Sequence, residues 1–255
     1  MHSLTIGINT FREAVRNKVL YSILLFALVL VVSAVILGAS SIGDPIKFAK
    51  DFSLMAVSLF CVIIAVALGS NLLSKELGRK TILNILAKPV ARSEFVLGKF
   101  LGLFLTVALT CVMMSLMSIL VLGHFEGRRD WSLMLMAASS ILELMIVVAV
   151  AIFFSCIVVT PALAGMFTAA TFIAGRSSAY LQVFFQPDYG PFTRASARAL
   201  YWLLPYLDRY NIADQVVYGE RIDPGYLLNL GIYAFAYSCC LMLLSFAIFS
   251  RREFT

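Results

Sequence analysis

Six apolar runs divide the chain, at about 19–42, 52–73, 95–122, 133–158, 160–183 and 226–249, and each is long enough to cross a bilayer as a helix. Helix is favoured over strand because in lipid every backbone polar group must find its partner within the segment. The fourth and fifth runs are parted only by Val159, Thr160 and Pro161. Together they far exceed the roughly 20 residues of one crossing, so the proline predicts a tight helical hairpin. Ahead of the first run, residues 1–18 place Leu4, Ile8, Phe11 and Val15 at helical spacing, with Arg12, Glu13, Arg16, Asn17 and Lys18 on the other side. That pattern predicts an amphipathic helix lying in the membrane interface. The segment 184–225 is polar, and Pro205 interrupts its helix-compatible stretch, which predicts short outer helices before the last span. Tyr180, Tyr189, Tyr201, Trp202, Tyr206, Tyr210, Tyr218 and Tyr226 crowd this outer boundary, as an aromatic belt or as part of an outer gate.

Composition places this pattern in a membrane. Hydrophobic residues make up 61% and charged residues 13%, where soluble domains carry about 25% charge. The expectation is therefore an all-α membrane protein, a single transmembrane domain over 1–255. The net charge of +6 comes from bases scattered between apolar blocks, not from a phosphate-tracking surface, so no nucleic-acid partner is expected.

The bases also set an orientation. With the N-terminus cytoplasmic, the inner side receives Arg12, Arg16, Lys18, Lys75, Arg79, Lys80, Lys88, Arg92, Lys99, Arg251 and Arg252, against Glu13, Glu76, Glu94 and Glu253. On the outer side bases and acids balance, so both termini are expected inside. Cys61, Cys111, Cys156, Cys239 and Cys240 all lie in apolar stretches, and His2 and His124 have no metal-ligand spacing. No metal site, cofactor or catalytic constellation is expected in this chain. Gly98-Lys99 is followed by Phe100 and lacks the spacing of a phosphate loop, so the chain is not its own ATPase. Gly98 and Gly102 form a GxxxG, expected to pack within the bundle.

Two places carry the candidate chemistry. In the loop 74–94, Leu77, Ile82, Ile85 and Leu86 can share one face of a short helix that Pro89 ends, with bases around it. Such a helix either docks in the groove of a soluble protein or caps its own bundle. Glu143 and Arg176 are charges inside apolar runs, where an isolated charge is expensive. An inter-helix ion pair, a substrate pathway and a misplaced span boundary all remain open for them.

Glu76, Arg79-Lys80-Thr81, Leu86-Ala87-Lys88-Pro89-Val90 with Arg92, then Gly98-Lys99, resembles the permease subunits of the ABC-2 family of ATP-driven transporters. Lys80-Thr81 stands where Gly-Thr is commoner in that pattern. The resemblance implies that Glu76, Arg79, Lys80, Thr81, Ile82, Ile85, Leu86, Pro89 and Arg92 form a coupling helix, spanning about 76–88, seated in a separate ATP-binding subunit. It further implies two copies of that subunit, holding ATP and Mg, and a second permease copy as homodimer or close paralogue. An envelope accessory protein, a bacterial or archaeal cytoplasmic membrane and an export direction are implied in the same way, and the cargo is not. The rival expectation is an ATP-independent secondary transporter or channel using Glu143.

Overall fold

The computed structural model describes residues 2–16, 18–39, 44–78, 92–127, 129–158, 160–186 and 190–251. Every element among them is helical: α1 (His2–Val15), α2 (Lys18–Ala39), α3 (Pro45–Gly78), α4 (Arg92–Glu126), α5 (Leu133–Ile157), α6 (Pro161–Arg176), α7 (Ser178–Leu181), α8 (Pro191–Leu203), α9 (Ala213–Val217) and α10 (Pro224–Arg251). Two 3-10 turns, Gln182–Phe185 and Leu207–Tyr210, join the short helices. Four stretches among the described residues are long and apolar enough to cross a bilayer: Pro45–Asn71, Ser93–Glu126, Leu133–Ile157 and Pro224–Ser250.

The centre of the bundle is α5, packed against α3, α4, α6 and α10. Its sequence explains the position. It is apolar all the way round, the pattern of a helix with protein on every side, and Ile146 through Ile152 are buried without a break. It ends where Val158 turns extended, and Thr160 is extended in turn before Pro161 opens α6. Proline excludes the helical conformation from the residue before it and fits the first position of a helix, so the hairpin forms at the predicted place.

The expected fifth span, 160–183, is not one helix. α6 stops at Arg176 after 16 residues, about 24 Å of rise, and the chain restarts as α7 and a 3-10 turn after Ser177. The polar triplet Arg176-Ser177-Ser178 supplies the break, and the segment around Pro205 holds it, because Gly175 lies against the Pro205 carbonyl and the Leu207 side chain. A Cβ at 175 would have to push that backbone away. The second and third expected spans are parts of longer helices. α3 and α4, of 34 and 35 residues, each rise roughly 50 Å, more than the roughly 30 Å hydrocarbon core requires.

α1 packs on α4 by its small residues and leaves part of its apolar stripe outward. Gly7, Thr10 and Ala14 are the buried positions, while Leu4 and Ile8 face outward. Gly102 fits beneath the Gly7 carbonyl and the Thr10 side chain. The GxxxG of α4 is thus the seat of α1, and its small residues allow two backbones to approach closely. Glu13 Oε2 lies 3.7 Å from Lys99 Nζ across this seam.

Lys50 fastens the opposite end of the bundle. Its Nζ donates to Glu126 Oε1 at 3.0 Å and to Asp130 Oδ2 at 2.9 Å, tying the start of α3 to the end of α4 and the turn into α5. Burial opposes ionisation of Asp130, but hydrogen bonds from Ser132 and Lys50 outweigh it and hold the carboxyl below its ordinary pKa.

Candidate functional site

Glu143 stands ten residues into α5 and is essentially inaccessible, its side chain 1% exposed. Arg176 is the last residue of α6, and its Nη1 donates to Glu143 Oε1 at 2.6 Å. The α5–α6 hairpin brings the two together, so the carboxylate in the middle of the bundle has a full counter-charge. Phe172, one turn earlier on α6, places its ring 5.9 Å from the Arg176 guanidinium. A charge-assisted bond of this length between a guanidinium and a buried carboxylate is among the strong ones. Of the readings open in the sequence, the inter-helix pair is the one whose geometry is seen.

Beside the pair lies a cavity of about 400 Å³, lined by Asp51, Phe52 and Met55 of α3, Met136 of α5, Phe172 and Arg176 of α6, and Asn211 and Asp214 around α9. Its walls are mainly apolar, with Asp51, Ser58, Arg176, Asn211 and Asp214 as the polar side chains among them. This is the composition of a site for a small amphipathic molecule.

The segment between α6 and α10 closes over the same end of the bundle and is stitched to α10 by tyrosines. The Tyr210 hydroxyl donates to the Leu230 carbonyl at 2.9 Å, that of Tyr226 to the Arg209 carbonyl at 2.6 Å, and that of Tyr237 to the Leu203 carbonyl at 3.1 Å. Tyr233 accepts from the Tyr206 backbone N–H at 3.2 Å. Burial pushes the Tyr210 hydroxyl far above its ordinary pKa, so it stays a donor. From below, Ser139 of α5 donates to the Tyr210 carbonyl at 2.7 Å. Arg209 stacks over Tyr206, at 5.4 Å. Pro205 divides α8 from the 3-10 turn as the sequence predicts.

The coupling candidates fall at a boundary. Glu76 is in the last turn of α3 and Arg92 is the first residue of α4, so two long helices bound the segment. Arg79, Lys80, Thr81, Ile82, Ile85, Leu86 and Pro89 lie outside the described residues.

Several residues here were not singled out by sequence reasoning. Asp51 lies ahead of the second apolar run in the sequence, but α3 starts at Pro45 and carries Asp51 within it, on the cavity wall. Lys50, Glu126 and Asp130 are far apart in the sequence and meet only in the fold. Tyr233 and Tyr237 were hidden inside the last apolar run. A usable signal existed only for α1, where the small residues Gly7, Thr10 and Ala14 recur at helical spacing.

A family model described as ABC-2 family transporter protein matches residues 14–175, more than half of the chain, from the end of α1 to the end of α6. No curated protein matches the chain.

Proposed function

The chain belongs to the ABC-2 family of transporter proteins, and from that premise we propose that it is the permease subunit of an ATP-driven exporter, worked by a separate ATP-binding subunit. The observation that carries this reading is the family match itself, because the matched stretch contains the whole 74–94 segment between α3 and α4. In the proposed complex, two permease copies, identical or paralogous, sit with two ATP-binding subunits that hold ATP and Mg. The helix at about 76–88 seats in the ATP-binding subunit, with Ile82, Ile85 and Leu86 as apolar anchors and Arg79, Lys80 and Arg92 around them. Closure of the nucleotide subunits pushes on that helix, and the push passes into α3 and α4, each rigid along its length. α1 moves with α4 because the two are packed through Gly7, Thr10 and Gly102.

Six crossings, made by α2, α3, α4, α5, α6 with its continuation, and α10, leave both termini cytoplasmic and put the Arg176 cavity at the outer end. Cargo needs no contact with the coupling helix; it only has to bind the alternating states differently. An ATP-independent carrier relying on Glu143 would first have to break the Arg176 pair, leaving a lone charge in the bundle.

The test is affinity purification of the tagged chain in mild detergent, with mass spectrometry of what accompanies it and an ATPase assay on the eluate. A stoichiometric Walker-type ATPase with vanadate-sensitive hydrolysis is expected. A chain that purifies alone and without hydrolysis would overturn the coupling.

A further inference from the structure

We propose that the cavity beside Arg176 is a binding site for a cationic amphiphile, a long-chain amine or quaternary ammonium whose head lies between Asp51 and Asp214 and whose tail lies along the apolar wall. The inference rests on the permease reading, in that it names the chemical class of the cargo. Its grounds are the shape and the charge balance of the cavity.

At about 400 Å³ the cavity takes a small amphiphile. Phe52, Met55 and Phe172 form its apolar side. Met55 is also 67% exposed, so the wall continues onto the outer surface of α3, and in the proposed topology a tail can pass in from the bilayer. Methionine and phenylalanine suit this, since the flexible thioether adapts to chains of different shape.

The sign of the head follows from which charges are already neutralised. Arg176 is the cation in the lining, and it is committed to Glu143 at 2.6 Å. An anionic ligand that drew Arg176 away would leave a carboxylate stranded inside the bundle, a large penalty. Asp51 and Asp214 stand exposed at the rim, and no cation among the described residues forms an ion pair with either. The bases beside Asp51 on α3 are engaged elsewhere, Lys47 with Asp44 at 3.3 Å and Lys50 with Glu126 and Asp130. The cavity therefore carries net negative charge at its rim, and the ligand that completes it is a cation.

The experiment uses the full chain in lipid nanodiscs, with dodecylamine bearing a diazirine at its tail as probe and mass spectrometry of the photolabelled peptides. Labelling is expected at Phe52, Met55 or Phe172, displaced by dodecyltrimethylammonium and not by dodecyl sulfate. Asp51→Asn with Asp214→Asn should lower it about tenfold, the scale of removing two nearby charges, while Glu220→Gln, exposed and outside the cavity, leaves it intact. Equal labelling by the matching diazirine fatty acid, or full labelling of the double variant, would overturn the proposal. The same wild-type preparation, tested for a co-purifying ATPase, separates the two readings. A chain that assembles with its ATPase but does not prefer the amine defeats the cargo class alone, and a chain that binds the amine but brings no ATPase defeats the coupling alone.

Discussion

Arg176 and Glu143 meet across the α5–α6 hairpin at 2.6 Å, joining the last residue of a short helix to the middle of the central one. The pair holds the end of α6 against α5, just before the chain restarts at α7. Removing either partner alone leaves a charge in the bundle, whereas replacing both with apolar residues does not.

Arg176→Met should therefore destabilise the protein by up to about 3 kcal/mol, at the low end for a buried pair because Arg176 is a quarter exposed. Glu143→Gln should cost less, since the amide still accepts from the guanidinium, and Glu143→Lys should be worst. Arg176→Met with Glu143→Leu should recover most of the loss. Thermal unfolding of the four variants in one detergent checks this order, and a double variant as unstable as the sum of the singles would contradict it.

The seat of α1 gives a second expectation. Gly102→Val places branched methyls where the Gly7 carbonyl and Thr10 now lie, and overpacking of this kind costs roughly 1–3 kcal/mol. Gly190→Ala, with nothing within 4 Å of the added carbon, should be neutral. Thermal unfolding compares them, and protease sensitivity near residue 16 shows whether α1 has come away.

The Lys50 clamp predicts a pH dependence with a definite sign. The Asp130 carboxyl is held below its ordinary pKa in the folded state. Its stabilising contribution is thus complete above the unfolded value of about 3.9 and is lost as pH falls through the lower folded value. The difference in unfolding temperature between wild type and Asp130→Asn should be constant from neutral pH down to about 4 and shrink below it. A gap that persisted unchanged at lower pH would mean that the charge on Asp130 is not what stabilises the clamp.

The sequence made the helices legible because bilayer solvation leaves a long, local signal. Five of the six apolar runs each fall on one helix over their described residues, the fifth breaks after Arg176, the hairpin turns before Pro161, and Pro205 separates α8 from the turn that follows. Glu143 and Arg176 could be suspected as partners since a lone charge in such a run needs one. What hydropathy cannot report is which face of an apolar helix meets protein and which meets lipid. That is why the seat of α1 on α4, made by Gly7, Thr10 and Ala14 and not by its apolar stripe, was not read from hydropathy. Nor does it report pairings between distant loops, so Lys50 with Glu126 and Asp130, or Asp51 near Asp214, had no local signature. The fifth run ended early for the same reason: Gly175 stops α6 against Pro205 and Leu207, residues 30 or so positions away that composition cannot place beside it.

The central claim, that a separate ATPase drives this permease through the segment between α3 and α4, is tested most directly by Ile85→Asp with Leu86→Asp. Two charged side chains in place of the apolar anchors should abolish co-purification of the ATP-binding subunit while membrane insertion and the unfolding temperature of the permease stay as in wild type. Full recovery of the ATPase with the double variant would contradict the account.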